Sequence, residues 1–390
     1  MSSQDSMRRF FEVLEIIKTE FQLKDAYLRE DTPTFIVSST TQFREKIENI
    51  RTQLKQKGLD LNLQKSDNDI SLQVIPLIAQ PALPKKIYKL NLSILLFIIT
   101  IITVTISGYF SAQSHISLLK MLAAYNNQPL GIQDESLYLL ELSALYVISI
   151  MAIIGLHEVG HTIACRIHHI DASLPTFIPG IPGLTPGTFG AIIMQREPTL
   201  NRNQLLDIGL AGPLVGFIVS VIVSIIGYSW SIPVSRGEYL YIISRAGEPG
   251  SAIPPALFLL LQSSIFPNPN SFTHFLHPVA VAGWMGTLIT FLNIFPIGQL
   301  DGGHVSRAIL GSKWHNRLSY IMIGVMVLAG WWTMALLVVF LIKTHHPGTL
   351  DDVSDLSKNR KIIGVLIIIV IFITCFTFSS ESLLWSFLFG

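Results

Sequence analysis

The stretch Leu142–His161, LSALYVISIMAIIGLHEVGH, is an almost unbroken apolar run that ends in two histidines and a glutamate. A run of about 20 apolar residues is long enough to cross the hydrocarbon layer of a bilayer as an α-helix. Ionisable side chains are costly in hydrocarbon, so they are rare there without a functional reason. The stretch therefore predicts a membrane-spanning helix with His157, Glu158 and His161 at one end.

The two histidines lie four residues apart in an H-E-x-x-H pattern. Four residues make about one helical turn, so both imidazoles share a face and can reach one metal ion. The pattern is typical of zinc sites in which the glutamate is a general base. Catalytic zinc usually has three protein ligands. The third predicted ligand is Asp301, in the later stretch Asn293–Gly303, NIFPIGQLDGG.

The composition also indicates a membrane protein. Of the 390 residues, 50% are hydrophobic and only 14% are charged, and the mean hydropathy is +0.51. Soluble proteins of this size seldom have such a composition. A formal net charge of +1 gives no indication of nucleic-acid binding. The two cysteines, Cys165 and Cys375, lie far apart in apolar segments, so no disulfide is predicted.

The chain is predicted to have two domains. Residues 1–84 are rich in charge and predict a small soluble α/β domain, with helices over 10–21 and 41–57 and strands over 34–38, 59–63 and 70–74. Residues 85–390 predict a membrane-embedded domain with its core at 136–310. The first residues lack an apolar core, so no secretory signal is predicted there. The acidic, Glu-rich helix that follows argues against an organelle transit peptide.

About six transmembrane helices are predicted in the second domain, near residues 87–110, 136–161, 208–230, 278–297, 318–342 and 362–378. The run 318–342 is either one tilted span or a helical hairpin broken near Gly330. The segment 174–193 is apolar yet rich in Pro and Gly, which predicts a re-entrant strand or loop beside the site. The predicted fold class is an α-helical polytopic membrane protein with a small N-terminal soluble α/β domain.

The basic residues predict the orientation of the spans. They cluster before the first span, between the second and third, and after the fourth: Lys85, Lys86, Lys89, Arg166, Arg196, Arg202, Arg307, Lys313 and Arg317. Basic loops favour the cytoplasmic side. We therefore predict a multi-pass protein of the cell membrane whose N-terminal domain and active-site side are cytoplasmic. Lys358, Arg360 and Lys361 favour the same side, which fits the hairpin alternative.

The two main motifs, H-E-x-x-H in one span and N-x-x-P-x-x-x-L-D-G in a later one, resemble those of the site-2 protease family of intramembrane zinc metalloproteases. Residues 212–216, GPLVG, resemble the central motif of that family. Residues 188–191, TFGA, resemble a stretch in its branch from archaea, cyanobacteria and plastids. The resemblance covers about 140–310. The segment 231–275 is too short for a PDZ-like insertion, which points to a branch without that domain. Ile294 follows Asn293 at the position where members of the family most often have proline.

The resemblance implies one zinc ion per chain, held by His157, His161 and Asp301. Glu158 would be the general base, and Asn293 would orient the substrate or stabilise the oxyanion. The implied partners are membrane-anchored protein substrates in a lipid bilayer, cleaved in or near their transmembrane segments during regulated intramembrane proteolysis. The resemblance leaves the oligomeric state open.

Other side chains of ligand type also lie near the motifs or elsewhere in the chain. Those near the motifs are Cys165, His168, His169 and His304, and for them packing or interface positions are favoured over ligation. His345 and His346 are predicted to be solvated. A metal transporter or metal-dependent scaffold is the alternative function, because intramembrane His and Asp also mark ion pathways. Spans one, three and six carry almost no polar residues beyond Ser and Thr, which argues against a permeation path.

Overall fold

The computed structural model describes residues 3–29, 32–38, 43–66, 69–76, 87–246, 255–265, 272–328, 335–336, 339 and 348–375. Its first part is a small α/β sheet region, and its second part is mostly helical. The N-terminal elements are α1 (Ser3–Glu20), β1 (Leu23–Arg29), β2 (Thr32–Ser38), α2 (Phe43–Gln56), β3 (Leu59–Ser66) and β4 (Asp69–Pro76).

The N-terminal strands form one antiparallel sheet in the order β1-β2-β4-β3. Apolar residues that alternate along the strands pack against apolar residues on one face of each helix. The core between them includes Val13, Ile17, Ile50 and Leu54 from the helices and Phe35, Leu61 and Leu72 from the strands. The predicted helices and strands are present, but β1 was missed. Its sequence LKDAYLR has no buried residue, so it lacks the apolar alternation that marks a strand.

A buried ion pair holds α2 against β3. Arg51 Nε lies 2.9 Å from Asp60 Oδ1, and these side chains are 7% and 12% exposed. Arg51 also donates to the Leu61 carbonyl. Removing one partner of such a pair leaves an unpaired buried charge.

We therefore expect Asp60→Ala to lower the free energy of unfolding of the N-terminal sheet region by about 3–5 kcal/mol. The measurement is hydrogen exchange of the β3 and β4 amides in the full chain. Lys24→Ala is the control, because it breaks an exposed pair with Asp69, and exposed pairs contribute about 0–1 kcal/mol. Equal exchange in both variants would contradict the prediction.

The second part contains α3 (Ile87–Tyr125), α4 (Glu135–Ile167), β5 (Thr176–Pro179), β6 (Thr188–Ile192), α5 (Arg202–Ser229), β7 (Ile232–Ser235), α6 (Arg236–Ala246), α7 (Ala256–Ile265), β8 (Phe272–Phe275), α8 (Pro278–Asn293), α9 (Asp301–Leu328) and α10 (Lys358–Cys375). Within the described ranges, three helices are long and apolar enough to cross a membrane: Leu92–Tyr125, Glu135–Ile167 and Arg202–Ser229. The other predicted spans stay predictions. The predicted break near Gly330 lies outside the described residues.

The C-terminal ends of α3 and α8 differ from the prediction. The helix predicted over 87–110 continues to Tyr125, since residues 111–125 contain good helix formers although they are less apolar. The predicted fourth span ends earlier, with α8 at Asn293, because Pro296 follows within one turn and disfavours a continuing helix.

The predicted re-entrant segment forms a strand pair. β5 and β6 are antiparallel, with Phe177 opposite Ala191. The hairpin is fixed to α3, because Thr103 Oγ1 donates to the Gly187 carbonyl at 2.6 Å. Gly187 has φ +96, and a Cβ there would collide with the α3 backbone. The hairpin therefore packs closely against α3, with β6 beside α4.

Candidate metal centre

The structure brings His157, His161 and Asp301 together, although Asp301 lies 144 residues after His157. His157 Nε2 is 3.1 Å from Asp301 Oδ2, and His161 Nε2 is 3.2 Å from Asp301 Oδ1. The two Nε2 atoms are 3.2 Å apart. In the described part of the chain, these three form the one group of His, Cys, Asp and Glu side chains close enough to hold a metal ion.

His161 is oriented by a hydrogen bond to α5. His161 Nδ1 lies 2.8 Å from the Ile208 carbonyl. A carbonyl only accepts, so Nδ1 carries the proton and Nε2 presents its lone pair to the group. A hydrogen bond of this kind is how proteins commonly fix a metal-ligating histidine.

Two α5 glycines leave room for the imidazoles. A Cβ at Gly212 would overlap the His161 ring, and one at Gly216 would lie 2.7 Å from His157 Nδ1. Gly160 on α4 likewise permits close contact with α5, because a Cβ there would lie 2.6 Å from the Ala211 carbonyl oxygen. The GPLVG motif therefore lets α5 lie directly against the ligand face of α4.

Asp301 is placed by a tight turn between α8 and α9. Asp301 is the first residue of α9. A Cβ at Gly302 would collide with the Ile294 carbonyl, and one at Gly303 would lie 2.6 Å from the Ile297 carbonyl oxygen. The glycines after the aspartate are thus required by close packing of the turn against the helix start.

Glu158 and Asn293 meet at a small cavity beside the metal-ligand group. The cavity is lined by Ile153, Ile154, His157, Glu158, Gly190, Ala191, Ile289, Thr290 and Asn293. Glu158 is 4% exposed. The predicted base Glu158, the predicted substrate-binding residue Asn293 and strand β6 therefore line the same cavity.

The alternative ligands lie elsewhere. His168 Nε2 is 3.0 Å from Asp207 Oδ2, His169 is exposed, and Cys165 is buried in an apolar cluster with Ala164 and Ile208. His304 packs near Gly209 and is not part of the group. His345 and His346 lie outside the described residues.

The donor set suits zinc. Two imidazoles and a carboxylate are ligands that zinc accepts, and three protein ligands leave one position open, as in catalytic zinc sites. Sequence reasoning missed the Ile208 carbonyl, because a backbone acceptor has no sequence signal. The glycines of the GPLVG stretch were identified only through their resemblance to a family motif, without their steric role beside the histidine rings.

Comparison with known proteins agrees with this chemistry. The model of peptidase family M50 matches residues 145–337, which include both motifs. No solved structure matches the chain.

The similarity extends to two curated relatives, one from Arabidopsis and one from rice. The chain is 31% identical over 232 residues to "Probable zinc metalloprotease EGY1, chloroplastic" of Arabidopsis thaliana, a match that covers 57% of this chain and 41% of that protein. It is 30% identical over 318 residues to the protein of the same name from Oryza sativa subsp. japonica, covering 77% of this chain and 53% of that protein. The chain thus spans about half or less of the length of these relatives. The matched motifs and the His–His–Asp group together show that this chain belongs to peptidase family M50, the site-2 protease family of zinc metalloproteases.

Proposed function

We propose that this protein is an intramembrane zinc metalloprotease that hydrolyses peptide bonds in or near transmembrane segments of membrane-anchored proteins. One observation carries the proposal: Asp301 meets His157 and His161 beside Glu158, and the two histidines and the glutamate lie on a helix that is long and apolar enough to span a bilayer. Regulated release of membrane-tethered proteins is the role that we propose for it. From the basic loops we also propose a multi-pass cell-membrane location with the N-terminal domain and the site on the cytoplasmic side.

In the proposed site, His157, His161 and Asp301 hold the metal. Zinc held by these residues would supply a Lewis acid that activates water as a nucleophile near neutral pH. Glu158 accepts the proton of the attacking water and passes it to the leaving amine. Asn293 donates a hydrogen bond from its side-chain N–H to the substrate carbonyl oxygen, where negative charge develops in the transition state.

Strand β6 is the proposed docking edge for substrate. Peptide carbonyls in a transmembrane helix are hydrogen-bonded, so the helix has to unwind before it is cut. In the described residues β5 and β6 form a two-stranded sheet, and Gly190 and Ala191 of β6 line the cavity with Glu158. An extended substrate segment that pairs with β6 would lie next to the predicted base.

Asn293→Ala is expected to lower the cleavage rate constant by about 10²–10³-fold, as loss of one oxyanion donor does. The zinc content should not change, because Asn293 is not a proposed ligand. Single-turnover cleavage and metal analysis of the same sample check both points. Asn316→Ala, at an exposed position of α9, is the control, and a wild-type rate for Asn293→Ala would contradict the role.

The proposed function is tested with the full chain in lipid vesicles that contain a single-span reporter protein. We expect cleavage of the reporter near its transmembrane segment, loss of cleavage after zinc is chelated, and recovery when zinc is returned. Zinc entry into the vesicles without reporter cleavage would contradict the proposal and support the transporter alternative.

A further inference from the structure

Residues 348–353 form a short connecting segment, here called the strap, between the N-terminal sheet and the helical part. The Leu63 amide on edge strand β3 donates to the Leu350 carbonyl at 2.7 Å. On the other side of the strap, the Leu350 amide donates to the Thr199 carbonyl at 3.0 Å, and the Asp351 amide donates to the Leu200 carbonyl at 2.8 Å. The strap therefore joins the edge of the sheet to the residues that precede α5.

The Asp352 side chain of the strap forms ion pairs with two guanidinium groups. Arg307 Nη1 and Nη2 lie 3.0 and 2.7 Å from the two carboxylate oxygens, which is a bidentate pair. Arg202 Nε lies 3.5 Å from Oδ1. The side chains of Arg307 and Asp352 are 9% and 16% exposed. Bidentate, largely buried pairs of this kind are directional and stronger than exposed ones.

The two arginines belong to the helices that build the metal centre. Arg307 lies on α9, six residues after Asp301, which is about 9 Å of helical rise. Arg202 is the first residue of α5, the helix that carries the glycines beside the histidine rings. The helices touch near the site, because a Cβ at Gly209 of α5 would lie 3.1 Å from the Asp301 carbonyl oxygen. Asp352 thus pairs with one arginine in the N-terminal part of each helix.

The position of the metal ligands depends on how α9 sits against α5. Asp301 comes from α9, whereas the Ile208 contact that orients His161 comes from α5. A shift of one helix along the other would move the carboxylate relative to the imidazoles. An ion pair that fixes this relative position acts on the metal centre without touching it.

We propose that Asp352 is a positioning residue for the metal centre, which acts through Arg307 and Arg202 and links the centre to the N-terminal sheet through the strap. The inference rests on the proposed metal site, but its main test needs no metal.

The test compares hydrogen exchange of wild-type and Asp352→Asn full-length protein in lipid nanodiscs, with zinc chelated. We expect the amides of residues 302–307 of α9 and the Leu63 amide to exchange roughly 2- to 30-fold faster in the variant, the range for substitutions along a coupling network. Asp171→Asn is the matched control, because Asp171 pairs with Arg196 at a more exposed position, where the two side chains are 50% and 33% exposed. The control should exchange as wild type does.

A second readout uses zinc-loaded protein and an excess of chelator. Asp352→Asn should release zinc roughly 2- to 30-fold faster than wild type, and Asp352→Glu, which keeps the charge, should restore slow release. Arg307→Lys keeps the positive charge but loses the bidentate contact, so it should show the same changes. It replaces Asp352→Asn as the test variant if Asp352→Asn fails to fold. Unchanged exchange in α9 in folded Asp352→Asn or Arg307→Lys would overturn the inference. Wild-type protein that binds no zinc would instead count against the proposed metal site, while the exchange result still decides the inference.

Discussion

Glu158→Gln is expected to lower cleavage of a membrane-tethered substrate by about 10²–10⁴-fold, the contribution of a general base. Glutamine has almost the same shape but cannot accept a proton. Glu158 follows the ligand His157 directly and shares a cavity with Asn293, so the substitution removes proton transfer at the proposed reaction position. The zinc content should stay at one per chain, because Glu158 is not in the ligand group.

The measurement is single-turnover cleavage together with metal analysis. Glu141→Gln is the matched control, because it makes the same change on α4 at an exposed position more than four turns from Glu158. The control should cleave at the wild-type rate. Comparable cleavage by Glu158→Gln and wild type would remove the proposed mechanism, even if zinc were bound.

Gly212→Ala is expected to weaken zinc binding by about 100-fold, near the upper end of the losses seen when a ligand's supporting contacts are removed. The added Cβ would overlap the His161 ring, so either the imidazole turns away or α5 moves back from α4. Alanine is a better helix former than glycine by about 1 kcal/mol. Loss of zinc despite this local gain would identify the steric conflict as the cause.

The matched control for this prediction is Gly155→Ala on α4, two residues before His157. A Cβ there meets nothing within 4 Å, so zinc affinity should not change. Zinc affinity is measured by competition with a chelator in both variants. Wild-type affinity in folded Gly212→Ala would show that α5 does not press on the ligand histidines as described.

The local parts of the site were predictable from the sequence. The H-E-x-x-H spacing and the apolar run before it place two imidazoles and a carboxyl group on α4 by helical geometry alone. The pairing of Asp301 with these histidines could not be predicted from local spacing, since no local pattern brings together residues 144 positions apart. Asp301 was predicted because catalytic zinc needs a third ligand and because this residue ends a later predicted span on the same membrane face as the histidines; the family motif then agreed with that choice.

Features that depend on non-local contacts could not be predicted. The strap lies in the sequence GTLDDV, which has the polar, acidic composition of an ordinary loop. Its backbone bonds with Leu63 and Thr199 appear only in the folded chain. In the same way, nothing in the sequence indicates that the neighbour of Gly212 is the His161 ring.

The central claim is that His157, His161 and Asp301 bind one zinc ion, and the most direct test is to locate zinc by anomalous scattering in an experimental structure of the zinc-loaded chain. We predict one zinc position about 2.0–2.2 Å from Nε2 of both histidines and from an Asp301 carboxylate oxygen. Zinc bound at other residues, or an Asp301 carboxylate turned away from the two imidazoles, would contradict the account.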